Sequence, residues 1–211
     1  MTYRAILFDL DGTLLDSVPT IIRVTRETLA SMGIDGVDDV TIRHAIGIPL
    51  KVQAHRFAPG REQQFLDDYR ATYLQNLNDD HRLFPGTLEM LAALRAKGYL
   101  TAVVTSKNIR GTTKAIELSG MSGLFDCVIT ADDVEHYKPD PEPIQKAMAL
   151  LGVTPEESIY VGDSAFDIEM AQRAGVEMVA VSWGARTHDE LELICPDRVV
   201  DGWEQFLELL R

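Results

Sequence analysis

Apolar residues in this chain follow two rhythms. The first is a set of short unbroken runs: Ala5-Ile6-Leu7-Phe8, Leu100 to Val104, Cys127 to Thr130, Ser158 to Val161 and Met178 to Val181. Runs of that length without polar alternation read as strands buried on both faces, as in a parallel sheet. A shorter piece, Arg198-Val199-Val200, reads the same way. Between these runs the apolar positions recur at helical spacing over Thr87–Lys97, Arg110–Leu118, Pro141–Leu151, Ala165–Ala174 and Asp189–Ile194, and again from Trp203. Gly98, Gly120, Gly152 and Gly175 stop four of these helices. Strand–helix alternation predicts an α/β, doubly wound (Rossmann-like) parallel sheet with right-handed crossovers.

The second rhythm is helical only, and it fills the stretch after the first strand. Helix signals run from Ser17 and Pro19 to Gly33, from Asp38 through Ile46, and over Arg61–Leu77, with Ser17 or Asp16 expected as the first cap. Asn78-Asp79-Asp80-His81 is a polar turn and Pro85-Gly86 a breaker pair. No strand pattern appears there. The expected organisation is an α/β core made of residues 1–15 and 83–211, with a small all-helical domain, 16–82, inserted after the first strand.

Composition narrows the function classes. The chain has 211 residues and is 45% hydrophobic, enough for a sizeable core. Lys plus Arg number 20 against 33 Asp plus Glu, a net charge of −13, so nucleic acid and anionic membrane are not expected partners. No run approaches the ~18 apolar residues of a membrane span. Cys127 and Cys195 fit no metal or redox spacing and suggest a reducing, cytoplasmic setting.

The first strand stops at an acid. Asp9 and Asp11 lie two apart, so extended backbone puts both side chains on one side. Two carboxylates ~4 Å apart at an effective dielectric of about 20 repel by ~4 kcal/mol, a large part of an ordinary fold's ~5–15 kcal/mol stability. A divalent cation is the simplest compensation. Taken alone, Asp11-Gly12 could equally be a turn and Asp9 a strand-end cap. Two other strand ends carry polar chemistry: Thr105-Ser106, and Gly162-Asp163, followed one helical turn later by Asp167. Each pair has its own bland explanation as a helix cap. Ligands of doubly wound sheets bind at the carboxyl ends of the strands, so the convergence there favours a site. Lys138, stiffened by Pro139 and Pro141, is either a surface lysine or a fixed ammonium that holds a phosphate.

In this order, Asp9-Leu10-Asp11-Gly12-Thr13, Thr105, Lys138-Pro139 and Gly162-Asp163-Ser164-Ala165-Phe166-Asp167 resemble the motifs of the haloacid dehalogenase-like hydrolase superfamily. A helical insert directly after the first motif is similar to members with a small helical cap. The resemblance implies that Asp9 is a nucleophile forming an aspartyl-phosphate and Asp11 a general acid/base. It implies Mg2+ bound by Asp9, Asp163 and Asp11, the last through its backbone carbonyl, with Asp167 in support. Thr105 and Lys138 would hold phosphoryl oxygens, with backbone N–H groups at Gly12 and Ser106. The acid at Asp11 argues against the dehalogenating branch, which lacks one there.

The run Asp132 to Pro143 resembles the subgroup of phosphoglycolate phosphatases and inorganic pyrophosphatases. The loop Ile46-Gly47-Ile48-Pro49-Leu50-Lys51 is closer to that subgroup than to the sugar-phosphate mutases. Arg43, His44, Lys51, His55 and Arg56 are the basic candidates for choosing a substrate, or form a solvated face. The expected activity is Mg2+-dependent hydrolysis of a small phosphorylated metabolite, phosphoglycolate-like, or of pyrophosphate. A β-phosphoglucomutase-like transfer on the same chemistry, and a catalytically inactive binding module, are the alternatives.

Overall fold

A computed structural model describes residues 3–75, 81–194 and 196–210. Its six-stranded sheet has β1 (Ala5–Phe8), β2 (Leu100–Val104), β3 (Cys127–Ile129), β4 (Ser158–Gly162), β5 (Glu177–Val181) and β6 (Arg198–Val200) in the order β3-β2-β1-β4-β5-β6. All five pairings are parallel. The order reverses at β1, between β2 and β4, so the crevice beyond the end of β1 is the switch point of the sheet. Phe8 stands opposite Val103 on one side and Val161 on the other.

Both faces of the sheet are covered, which is why the strand sequences lack polar alternation. Ile6, Phe8, Val103, Val161 and Val179 point to one core, Leu7, Ala102, Val104, Tyr160 and Met178 to the other. The first core is closed by α5 (Thr87–Ala96) and α10 (Trp203–Leu209), and the second by α7 (Glu142–Leu151) and α8 (Ala165–Ala174). Phe206 meets the edge of Phe8 at 6.2 Å between ring centroids, and Trp203 lies 6.1 Å from Phe8. α6 (Ile109–Leu118) and α9 (His188–Glu192) complete the set.

Between β1 and α5 come α1 (Val18–Ser31), α2 (Asp39–Arg43), α3 (Leu50–Phe57) and α4 (Glu62–Gln75). Among the described residues this stretch holds no strand. Val24, Leu29, Ile42, Ala54, Phe57, Phe65 and Tyr69 give it a core of its own. Its two connections to the sheet are paired. Leu15 bridges Leu83, Asp16 N donates to Arg82 O at 2.8 Å, and Phe84 N donates to Leu14 O at 3.1 Å. The end expected for α4 at Leu77, most of the turn at Asn78–His81, and Cys195 lie outside the described residues.

Element ends agree with the sequence expectations to within two residues for α8, α7, α6 and α9. Ser17 differs in a useful way. It precedes α1, but its side chain makes no capping bond. It donates to Asp11 instead, at 2.8 Å.

Phe206 is fully buried, so Phe206→Ala is expected to cost ~3–5 kcal/mol through lost burial and the cavity left behind. Urea unfolding should show a lower midpoint at unchanged slope.

Candidate active site

The sheet delivers the acids. The ladder continues past the strand ends, with Asp9 N donating to Val161 O at 2.8 Å and Thr105 N to Ile129 O at 2.9 Å. Asp9 and Thr105 are thereby fixed as firmly as strand residues, and both are buried. Asp163 leaves β4 and Asp167 sits in the first turn of α8. Ser164, not Asp163, caps α8, its side chain accepting from Asp167 N. Asp163 is free of capping and instead accepts from Thr13 Oγ1 at 3.2 Å and from Ala185 N at 2.5 Å.

Gly12 makes the close approach possible. Its φ is +84°, and a Cβ there would lie 2.1 Å from Asp163 Oδ2. Its N–H differs from expectation. It donates to Leu15 O at 2.9 Å, closing the turn after β1, and is not free for a phosphoryl oxygen.

Lys138 is buried among the acids. Its Nζ donates to Asp9 Oδ1 and Asp167 Oδ1, both at 2.8 Å. Tyr160, which the sequence did not single out, donates its hydroxyl to Asp167 Oδ1 at 2.9 Å. Ser164 N and Oγ fill Asp167 Oδ2 at 3.1 and 2.5 Å. A carboxylate accepts about four hydrogen bonds. Asp167 is therefore occupied, and its role here is to hold Lys138 rather than to offer a free oxygen.

Asp9, Asp163 and Asp167 have carboxylate oxygens within 4.8 Å of one another. One ammonium, Lys138, makes ion pairs inside this group among the described residues. Three buried acids against one buried base leave negative charge uncompensated, and an all-oxygen donor set suits a hard divalent cation. The cluster can thus hold such a cation, with Asp9 and Asp163 having the freer oxygens. The Asp11 side chain stands outside the group, and the metal role that the resemblance implies for this residue is that of its backbone carbonyl. Lys107 Nζ takes both its oxygens at 3.1 and 2.9 Å, and Ser17 takes Oδ1. No local pattern in the sequence marks Lys107 for this contact.

The helical insert touches the site. Ser106 Oγ donates to Gly47 O at 2.6 Å, so this hydroxyl is spent on the insert. Gly47 has φ +106°, and a Cβ there would meet Ser164 Oγ at 2.6 Å. Of the basic candidates, Arg43 and His44 both reach Glu190 of α9 at 3.0 Å, His55 pairs with Glu62, and Lys51 bonds the Tyr137 hydroxyl. Arg56 lies near the Phe57 ring. None of them pairs with the acids at the strand ends. Trp183 is held by Thr13 O and packs on Trp203, as core.

Burial raises the pKa of Asp9 to about 7, against the pull of Lys138 and with a further push from Asp167. Burial, followed by Asp167 and Asp9, lifts Asp163 well above the carboxylate range. Burial opposes the charge on Lys138, but Asp167 and Asp9 outweigh it and hold its pKa above the ordinary value.

Asp9 and Asp163 bind protons more tightly folded than unfolded, where a carboxyl has a pKa of about 3.9. Their contribution to stability is complete below pH ~4 and is lost as pH rises, for Asp9 through about 7. A cation on these oxygens offsets that loss. Millimolar Mg2+ added to chelator-treated protein should therefore raise Tm more at pH 8 than at pH 5, with up to ~2.7 kcal/mol at a hundredfold excess over Kd. Equal increments at the two pH values would show that these acids do not take the ion.

The family model described as haloacid dehalogenase-like hydrolase matches residues 6–181. The chain is 34% identical over 215 residues to "Pyrophosphatase PpaX" of Bacillus cereus, covering 100% of this chain and 97% of that one. A solved structure from Haemophilus somnus, described as a predicted phosphoglycolate phosphatase, superposes with a TM-score of 0.89 at 26% identity, over 100% and 99% of the two chains. A haloacid dehalogenase-like family hydrolase from Streptococcus pneumoniae gives 0.86 at 25%, over 99% of each. With the strand-end acids in place and the match running from β1 to the end of β5, the chain belongs to the haloacid dehalogenase-like hydrolases.

Proposed function

We propose that this hydrolase is a Mg2+-dependent phosphatase that cleaves a small phosphorylated metabolite, phosphoglycolate-like, or pyrophosphate, through an aspartyl-phosphate on Asp9. The observation that carries this is the Asp9 carboxylate, buried at the switch point and anchored by the buried Lys138 through Oδ1 alone. Fixing one oxygen aims the other as a nucleophile.

Asp9 attacks phosphorus while the bond to the leaving oxygen breaks. Asp11, two residues on, gives that oxygen its proton. Water then attacks the aspartyl-phosphate, Asp11 takes back a proton, and orthophosphate leaves with Asp9 restored. Lys138 and the Thr105 hydroxyl neutralise and orient the phosphoryl oxygens. Asp9, Asp163 and the Asp11 carbonyl would hold Mg2+, which supplies charge neutralisation for attack by one anion on another.

The α1–α4 insert, bounded near residues 16 and 82, serves as a cap. Its Gly47 loop, seated on Ser106 and Ser164, excludes water from the acids. No helix among the described residues is long and apolar enough to cross a membrane. The free, half-buried Cys127 thiol supports a cytoplasmic location.

Asp9→Asn should lower turnover of an aryl phosphate by about 10^4-fold or more while the circular dichroism spectrum is kept. Wild-type protein should release one orthophosphate per phosphoester consumed. Retained activity in the variant, or an isomerised product without free phosphate, would overturn the proposal.

A further inference from the structure

Lys107, paired with Asp11, and His81, within electrostatic reach of both, have no part in the chemistry above. Lys107 follows Thr105-Ser106 directly, and its backbone is fixed at both ends. Its N–H donates to Thr105 Oγ1 at 3.2 Å, and its carbonyl accepts from Ala131 N at 3.1 Å. Its ammonium spans both Asp11 oxygens and lies 5.7 Å from the centroid of the Tyr73 ring, on α4 of the helical insert. It therefore stands between the proton donor and the insert. A leaving oxygen takes its proton along a hydrogen bond of about 3 Å. The leaving group must accordingly lie within roughly two hydrogen-bond lengths of Lys107 Nζ.

His81 is the second group. Both of its ring nitrogens are buried and have no hydrogen-bond partner among the described residues. Buried polar atoms are almost always paired, so an orphaned imidazole points to a ligand group not present. His81 adjoins Arg82, whose carbonyl is tied to Asp16 N, so its backbone is anchored next to the start of the insert. Burial, Lys107 and Lys114 lower its pKa, against a smaller opposing effect of Asp11. It is thus a neutral ring, with one donor and one acceptor to offer.

We propose that Lys107 and His81 form the leaving-group subsite and select phosphate compounds whose leaving group is itself a small anion, a second phosphoryl group or a carboxylate next to the scissile bond. The inference rests on the assignment of Asp9 and Asp11 given above. In a chain of net charge −13, an anionic leaving group beside Asp11 is repelled unless a cation meets it there. Lys107 is that cation. In the free protein it is paired with Asp11, and with substrate bound it is shared between Asp11 and the leaving group. A neutral leaving group gains nothing from it.

The test compares kcat/KM for 2-phosphoglycolate and pyrophosphate with that for 2-hydroxyethyl phosphate, which matches phosphoglycolate in shape but lacks its carboxylate. Wild type should prefer the anionic pair by about 100-fold or more. Lys107→Met should lower all three values but cut the preference to within a few-fold, mainly through KM for the anionic pair. Lys107→Arg should restore most of it, and His81→Asn should reduce it by about tenfold. If Lys107 only props Asp11, Lys107→Met lowers every substrate in parallel and the preference survives, which overturns the inference. Equal efficiency of wild type on the charged and neutral compounds also overturns it, and needs no variant. Either failure leaves the aspartyl-phosphate assignment standing. Loss of that assignment appears separately, as activity in Asp9→Asn.

Discussion

One buried ammonium holds this site together. Lys138 lies among Asp9, Asp167 and the Tyr160 ring, with its side chain 1% exposed. Removing a lysine charge from water costs several kcal/mol unless partners return it. Here two carboxylates do so, at 2.8 Å each. The dependence is mutual: without the ammonium, Asp9 and Asp167 would be unpaired charges behind a parallel sheet. The arrangement also sets what each acid is free to do. Asp167 spends its oxygens on Lys138, Tyr160 and Ser164. Asp9 spends one. The division between a fully engaged carboxylate and one held through a single oxygen is written in the hydrogen bonds.

Topology makes that division possible. Asp9 and Asp163 come from β1 and β4, distant in sequence but adjacent in the sheet, and meet where the strand order reverses. Lys138 arrives from the segment between β3 and α7. The Thr13 and Ala185 contacts to Asp163 show how the turn after β1 and the loop after β5 close the same crevice.

Much of this is legible in the sequence. The buried strands announce themselves because both faces are covered, so their runs are unbroken, and each functional run ends abruptly in Asp or Thr. The helices α1–α4 are legible because amphipathic spacing replaces those runs between β1 and α5. What stayed hidden depends on partners far away in the chain. Lys107 looks like any lysine near a helix start until the fold places it on Asp11, 96 positions away. Ser17 looks like a cap, and Gly12 like a backbone donor, because local rules describe local partners. In the structure Ser17 turns to Asp11, and the Gly12 N–H is consumed by Leu15. The signal that could have flagged Lys107 is its place two residues beyond a strand-end threonine, at the edge of the same sheet as the acids.

The pairing of the two crossings between sheet and insert has a mechanical result. Because Leu15 is bridged both to Leu83 and to Asp11, the insert is joined to the sheet by a single laced ribbon rather than by two slack tethers. A rotation of α1–α4 against the sheet must turn about that ribbon, and the Asp11 backbone is stitched to it. Any displacement of those four helices therefore reaches Asp11 through its own backbone.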